Sequence, residues 1–468
     1  MASATATHVS HEAVSGGITS DRFEIEVPLD HFGDGAQTMK VSFRVIAGKS
    51  SSSDKYLLFL QGGPGFGSPA PWTASSGWIK AALDKKYQVV LMDQRGTGMS
   101  TPISCRSLEA IGSGPAQVAY LKQFRADSIV RDAESVRESL GIRKWSTVGQ
   151  SYGGFISFTY LLASPESLEA VFLTGGVPPA IDSPMSAELV YSKTFRRVIK
   201  QNDKFYRRFP SAEPMAARLV NHVVSQESGR VVTPMGNHLT PNSIQLLGLG
   251  CLGFSGGFEK LYGLLESAFE PDGHLSFAFL KEFDASMSFD TNPLYALLHE
   301  SIYCQGSVAS DWAAERVRLR PEFREMFDAA TCAAAGNRVM FTGEMVFPFV
   351  FDDIAELRRV KEAAELFAKE SQWSALYPSA SSLADNAVPI AAACYFDDMF
   401  VDFELAEETL ARVPNARRYV TNEVGIQAWA THSCALTLSL LLRARSFASI
   451  CTMAFAKMVA PFSQSWST

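Results

Sequence analysis

No uncharged apolar run reaches the roughly 18 residues that a membrane-spanning helix needs, so no membrane span is expected. The seven cysteines (105, 251, 304, 332, 394, 434 and 451) are scattered, odd in number and never spaced C-x-x-C. Neither a disulfide framework nor a zinc site is indicated, and reduced thiols in a cytoplasmic enzyme are the simplest reading. Dense Lys/Arg clusters are missing too, and the net charge is −7, which argues against a nucleic-acid partner. Met1 to Ser20 is rich in Ala, Ser, Thr and Gly but lacks an apolar core, so it does not read as a secretory signal. A disordered lead-in over 1–20 is expected. The last absence is the most telling. From Val424 to Thr468 there is not one Asp or Glu, although the whole chain has 49 in 468 residues.

What is present points to a compact globular protein, with 47% hydrophobic and 19% charged residues. The length suggests one large domain carrying an insertion, or two domains. Gly149-Gln150-Ser151-Tyr152-Gly153 matches G-x-S-x-G, between one short apolar run and another from Phe155 to Ala163. That context fits a strand, a sharp turn and a helix. Small residues let strand and helix pass closely, and Ser151 is held up as a nucleophile. The Tyr152 N–H, at the helix start, then faces a substrate carbonyl oxygen. A glycine-rich turn with an incidental serine is the other reading of these five residues alone.

Residues 22–47 alternate as a β-hairpin. Tyr56 to Leu60 is an apolar strand ending in Gln61-Gly62-Gly63-Pro64-Gly65, a loop fit to offer a second oxyanion N–H. Gln88 to Met92 is the next strand, followed by Asp93-Gln94-Arg95-Gly96-Thr97-Gly98. An Asp93–Arg95 ion pair bracing the oxyanion loop is expected there. Arg125 to Leu140 reads as an amphipathic helix and Ala170 to Leu173 as another strand. Alternating strands and helices imply an α/β fold with a doubly wound, mostly parallel sheet.

After Pro179 the pattern turns helical to about residue 370, with helices expected at Glu259–Phe269 and Asp352–Ala368. This is an inserted cap. The expected organisation is core at 21–180, cap at 181–370, core again at 371–423 and an atypical tail at 424–468. Strand character returns at Val388 to Phe396, before Asp397 and Asp398. Functional groups gather at the carboxyl ends of such strands, and the chain order Ser…Asp…His is that of α/β hydrolases.

Gln61–Gly65, Asp93–Gly98, Gly149–Gly154, His299–Gln305 and Asp398–Asp402 together resemble prolyl aminopeptidases of the α/β-hydrolase superfamily, in the larger form with an extended cap. The resemblance implies a serine peptidase that releases N-terminal proline from peptides and uses no metal or organic cofactor. By it, Ser151 is the nucleophile and Asp398 the triad acid, with Asp397 as the fallback. Gly63 and Tyr152 supply oxyanion N–H groups, and Glu300 and Glu344 bind the substrate's free α-amino group. A cation at a chain end rewards a partly buried carboxylate. Gln61 stands where the family has histidine, which leaves the backbone donors intact.

The family's triad histidine is missing from its place. Its expected position after Thr421-Asn422-Glu423 is Ile426, and no histidine occurs between His299 and His432. With the loss of acids from Val424 onward, this reads as a lost histidine-bearing stretch or a changed frame or exon. His432 is near enough in sequence to substitute, but the preferred reading makes it an unrelated tail residue. Two further functions follow. One is an esterase or amidase on the same fold. The other is a catalytically impaired paralogue that binds peptides without cutting them.

Overall fold

The computed structural model describes residues 5–422, apart from 53, 70, 71, 73, 75, 76, 180–185, 378 and 379. The strands are β1 (Thr7–Val14), β2 (Ile18–Pro28), β3 (Thr38–Ala47), β4 (Tyr56–Leu60), β5 (Gln88–Met92), β6 (Trp145–Gln150) and β7 (Leu168–Thr174). A small ribbon of β8 (Val231–Val232) and β9 (His238–Leu239) lies in the cap, before β10 (Ile390–Tyr395) and β11 (Ala416–Thr421). Among the described residues, nine of these form one sheet in the order β1-β2-β3-β5-β4-β6-β7-β10-β11. From β5 through β11 every neighbouring pair is parallel. The β2–β3 hairpin is antiparallel, from Thr19 opposite Ala47 to Pro28 opposite Thr38.

The short central strands are apolar throughout because both of their faces are covered. Leu58 and Leu60 of β4 enter one core cluster, which contains the helix Ala126–Ser139 residues Ile129, Val130 and Val136. Leu57 and Phe59 enter the opposite cluster, with Trp78 and Ile79 of the helix Gly77–Asp84. Such a sandwich is the doubly wound α/β arrangement that the strand spacing predicts. No described helix is long and apolar enough to cross a membrane.

Helices from Ala187–Arg208 to Lys361–Lys369 separate β7 from β10. Arg125, buried just before the helix Ala126–Ser139, ties the core to them. Its guanidinium donates to the carbonyls of Ser301 and Cys304 and lies over the Trp373 ring, 4.3 Å from the centroid.

Three expectations need correction. Residues 7–14, expected within a disordered lead-in, form β1 on the sheet edge. This strand carries no apolar stripe: all but its last residue are exposed or half-buried, and backbone pairing with β2 holds it. Polar contacts add to that, with His8 and His11 on Asp21 and Arg44 on Glu12. Arg95 does not pair with Asp93. Its Nε and Nη2 bind Asp132 at 2.7 and 2.6 Å, both side chains fully buried, in the two-pronged geometry a guanidinium favours. Asp93 instead accepts the Ser68 and Met99 N–H groups, each at 2.8 Å, and so ties the two glycine-rich loops together. The helix expected over 352–368 is broken into Val350–Asp353, a 3₁₀ turn at Glu356–Val360 and Lys361–Lys369.

Candidate active site

β6 ends at Gln150 and the helix Tyr152–Ala163 starts two residues later. Ser151 between them has φ 52° and ψ −121°, a strained backbone for a residue with a side chain. The turn closes so tightly that its glycines are obligatory. A Cβ on Gly149 would stand 2.3 Å from the Gly153 carbonyl oxygen, and one on Gly153 would stand 1.9 Å from that of Leu60. The Tyr152 N–H opens the helix, so it has no partner within it and sits at the positive end of the helix dipole. The loop after β4 lies against the serine, since a Cβ on Gly62 would be 3.0 Å from the Ser151 Cβ. Gln94 Nε2 holds this loop by donating to the Gln61 carbonyl at 2.9 Å. The next peptide, Gly63–Pro64, is cis.

At the end of β10, Asp397 and Asp398 part company. Asp397 is half-buried, accepts Lys204 Nζ at 2.6 Å and the Asn422 amide at 2.9 Å, and is thereby occupied. Asp398 is 7% exposed. Its Oδ1 accepts the N–H groups of Phe400 and Val401 at 2.8 and 3.0 Å. Its Oδ2 is buried with no partner among the described residues. Burial pushes this carboxyl up to about 7, against the pull of the Val401 and Phe400 bonds.

Ser151 opens onto a cavity of about 330 Å³. Gln61, Gly62 and Gly63 form one side; Phe66, Tyr295, Phe254 and Phe400 give it apolar walls; and Glu344 supplies a carboxylate. A second cavity of about 280 Å³ shares Phe254 and Phe400 and reaches Asp397 and Asp398. A wider cleft of about 570 Å³, beside Lys55 and Arg143, opens at the opposite ends of β4 and β6. It faces away from the carboxyl ends of the strands, where the serine sits.

The structure places the two cap glutamates differently. Glu344 lines the cavity and accepts the Tyr295 hydroxyl at 2.9 Å. Burial raises its carboxyl to about 7, the Tyr295 bond lowers it, and nearby Asp398 adds to the rise. Glu300 is not among the cavity residues. Both of its oxygens accept backbone N–H groups, from Ala313 at 3.1 Å and Ala314 at 2.9 Å. It closes the start of the helix Ala313–Arg318, where orphan donors need an acceptor. Burial also pushes Glu300 up to about 7. Among the described cavity residues there is no histidine. His432, the sequence candidate for the base, lies outside the described residues, as does the whole stretch from 424.

Sequence reasoning missed Phe66 and Tyr295 as cavity walls and His299 as a neighbour of Glu344. The signal for the last two was present: Tyr295 and His299 are four apart and share one helical face. Their partner, Glu344, is 45 or more residues away and leaves no local trace.

A serine on a strained strand-to-helix turn, glycine N–H groups beside it and an acid after a later strand of a parallel sheet define the α/β-hydrolase class. A family model for the alpha/beta hydrolase fold matches residues 55–222. Proline iminopeptidase of Aeromonas sobria is 47% identical over 415 residues, covering 88% of this chain and 93% of the relative. A proline iminopeptidase of Aspergillus aculeatus is 32% identical over 425 residues, covering 88% and 90%. A crystal structure of proline iminopeptidase from Mycobacterium smegmatis aligns over 93% of this chain and 98% of its own, at 13% identity and a TM-score of 0.39. The chain belongs to the proline iminopeptidase family.

Proposed function

We propose that this chain is a serine aminopeptidase that releases N-terminal proline from peptides. The observation that carries the reading is one cavity whose wall holds both Ser151 and the carboxylate of Glu344. A peptide entering amino end first sets its ammonium against Glu344 and its first carbonyl against Ser151. Apolar walls from Phe66, Tyr295 and Phe400 suit a compact, uncharged side chain such as a pyrrolidine ring. Ser151 Oγ attacks the carbonyl carbon, a histidine takes its proton, and Asp398 orients that histidine. The N–H groups of Gly63 and Tyr152 hold the oxyanion. Glu300 supports the cap from behind by fixing the Ala313 helix and does not touch the amine. All five described cysteines are free and buried, which supports a reducing, cytoplasmic setting.

By this reading the base comes from beyond residue 422, and His432 is the histidine that stretch contains. A second reading is favoured by Ile426 standing where the resemblance places the triad histidine: a family member that grips amino-terminal proline without cutting. Loss of the histidine from a serine hydrolase costs about 10⁶ in turnover, with roughly 10³–10⁴ over water left to the oxyanion hole and binding.

Chromophore release from a proline arylamide decides between them. The first reading expects turnover by the chain as written, abolished in Ser151→Ala and in His432→Ala. A folded chain that binds L-prolinamide but shows no serine-dependent turnover establishes the second.

A further inference from the structure

Residues 337–347 form neither helix nor strand, so Glu344 has no ladder of its own to fix it. The bonds from Phe341 N–H to Asn202 and from Thr342 N–H to the Gln245 carbonyl hold the segment up to residue 342, and beyond it the Met345 N–H turns back onto the Gly343 carbonyl at 2.9 Å. Two further bonds reach Glu344 itself, and both come from one place. Tyr295 lies in the helix Pro293–Leu298, and His299 follows as its C-terminal cap. Tyr295 Oη donates to Glu344 Oε1 at 2.9 Å. His299 Nε2 lies 3.1 Å from the Glu344 carbonyl oxygen. A carbonyl only accepts, so Nε2 carries the proton and Nδ1 is a bare acceptor. Among the described residues Nδ1 has no partner, although the ring is 1% exposed. Burying an unpaired acceptor is unfavourable, and an apolar side chain would avoid it. Burial also pushes the ring down to about 4, so it stays neutral and its one N–H goes to Glu344.

We propose that Tyr295 and His299 are positioning residues that clamp Glu344 at the cavity wall, one by its carboxylate and the other by its backbone. The inference rests on the reading of Glu344 as the amine acceptor. The same helix also sets the oxyanion loop. A Cβ on Gly65 would stand 2.8 Å from the Tyr295 nitrogen, and the Phe66 ring packs 5.4 Å from that of Tyr295. A single element therefore fixes the distance between the group that holds the amine and the loop that holds the oxyanion. It thereby sets how far from its amino end a peptide is presented to Ser151.

The test is calorimetric affinity for L-prolinamide and for N-acetyl-L-prolinamide, measured on the full chain carrying Ser151→Ala. That protein is expected to prefer the free amine. Losing a hydrogen bond to a charged or amine-holding group should lower the amine-to-acetyl ratio about tenfold in His299→Leu and about three- to tenfold in Tyr295→Phe. His299→Gln keeps an N–H near the Nε2 position and should recover the ratio to within about threefold of the parent. A merely structural role for the ring would not give that selective rescue. Tyr295→Phe removes a single oxygen, so it carries the test if His299→Leu fails to fold. Variants that melt cooperatively and keep the ratio within about twofold of the parent would overturn the clamp. A parent with no preference for the free amine would instead overturn the amine reading, and the clamp with it.

Discussion

Glu300 and Glu344 sit in the same helical cap, and burial lifts both carboxyls to about 7. Their surroundings differ. Glu300 is turned inward, bonded to the Ala313 and Ala314 N–H groups and to the Ser310 side chain, and lies outside the cavity that Ser151 lines. Glu344 has one hydrogen bond from Tyr295 and otherwise faces a cavity. A perturbed buried carboxylate therefore does not by itself mark a binding group. What separates the two is how much hydrogen-bonding capacity each has left.

The largest difference between them should be seen in ligand affinity. Glu344→Gln is expected to weaken L-prolinamide binding by about 10- to 100-fold while N-acetyl-L-prolinamide is held as before. Glu300→Gln should leave that ratio within about twofold, and a drop like that of Glu344→Gln would erase the distinction. Next in size is the response to acidity. On the proposed reading the ionised Glu344 carboxylate receives the ammonium, so amine affinity should fall about tenfold per pH unit below about 7 and be flat in Glu344→Gln. Titration calorimetry between pH 5.5 and 8 reads this directly. The smallest effects fall on stability. Glu300→Ala removes a helix-start acceptor and should cost about 1–2 kcal/mol in denaturant unfolding, a loss that Glu344→Ala should not show.

The sign of the pH dependence of stability follows from Glu300. Its folded value, about 7, lies above its ordinary 4.5, so between the two the native state binds more protons than the unfolded one. Its contribution is fully present below about 4.5 and is lost as pH rises through about 7. The protein should melt higher at pH 5.5 than at pH 7.5, and Glu300→Gln should narrow that gap. An unchanged gap would mean the carboxylate titrates in its ordinary range.

The parts of the molecule that were legible in the sequence are those written locally. The G-x-S-x-G turn, the short apolar strands and the β2–β3 alternation each declare themselves within a dozen residues, and the structure has them in the expected order. Partnerships across long stretches of chain were not legible. Arg95 chose Asp132, 37 residues on, over its neighbour Asp93, because a fully buried guanidinium needs a planar two-oxygen acceptor. Which of the two cap glutamates meets the cavity depended on where the helix at Ala313 begins. β1 was missed for a different reason. It is a polar edge strand held by its backbone ladder, and periodicity reads side chains. Asp397 and Asp398 are adjacent in sequence, and only burial and partners tell them apart.

The order of the strands has one more consequence. β7 separates β6 from β10, so at about 4.8 Å per strand the serine and the acid hang roughly 10 Å apart on rigid rails. The described residues of the rails, of the Ser151 cavity wall and around Glu344 all lie before Thr421. The gap between serine and acid is left for a residue that belongs to neither rail. Quality control in a cell responds to unfolding, and it has no sense of whether that one gap is bridged. A change confined to the residue that bridges the gap would remove the cut and leave the two rails standing.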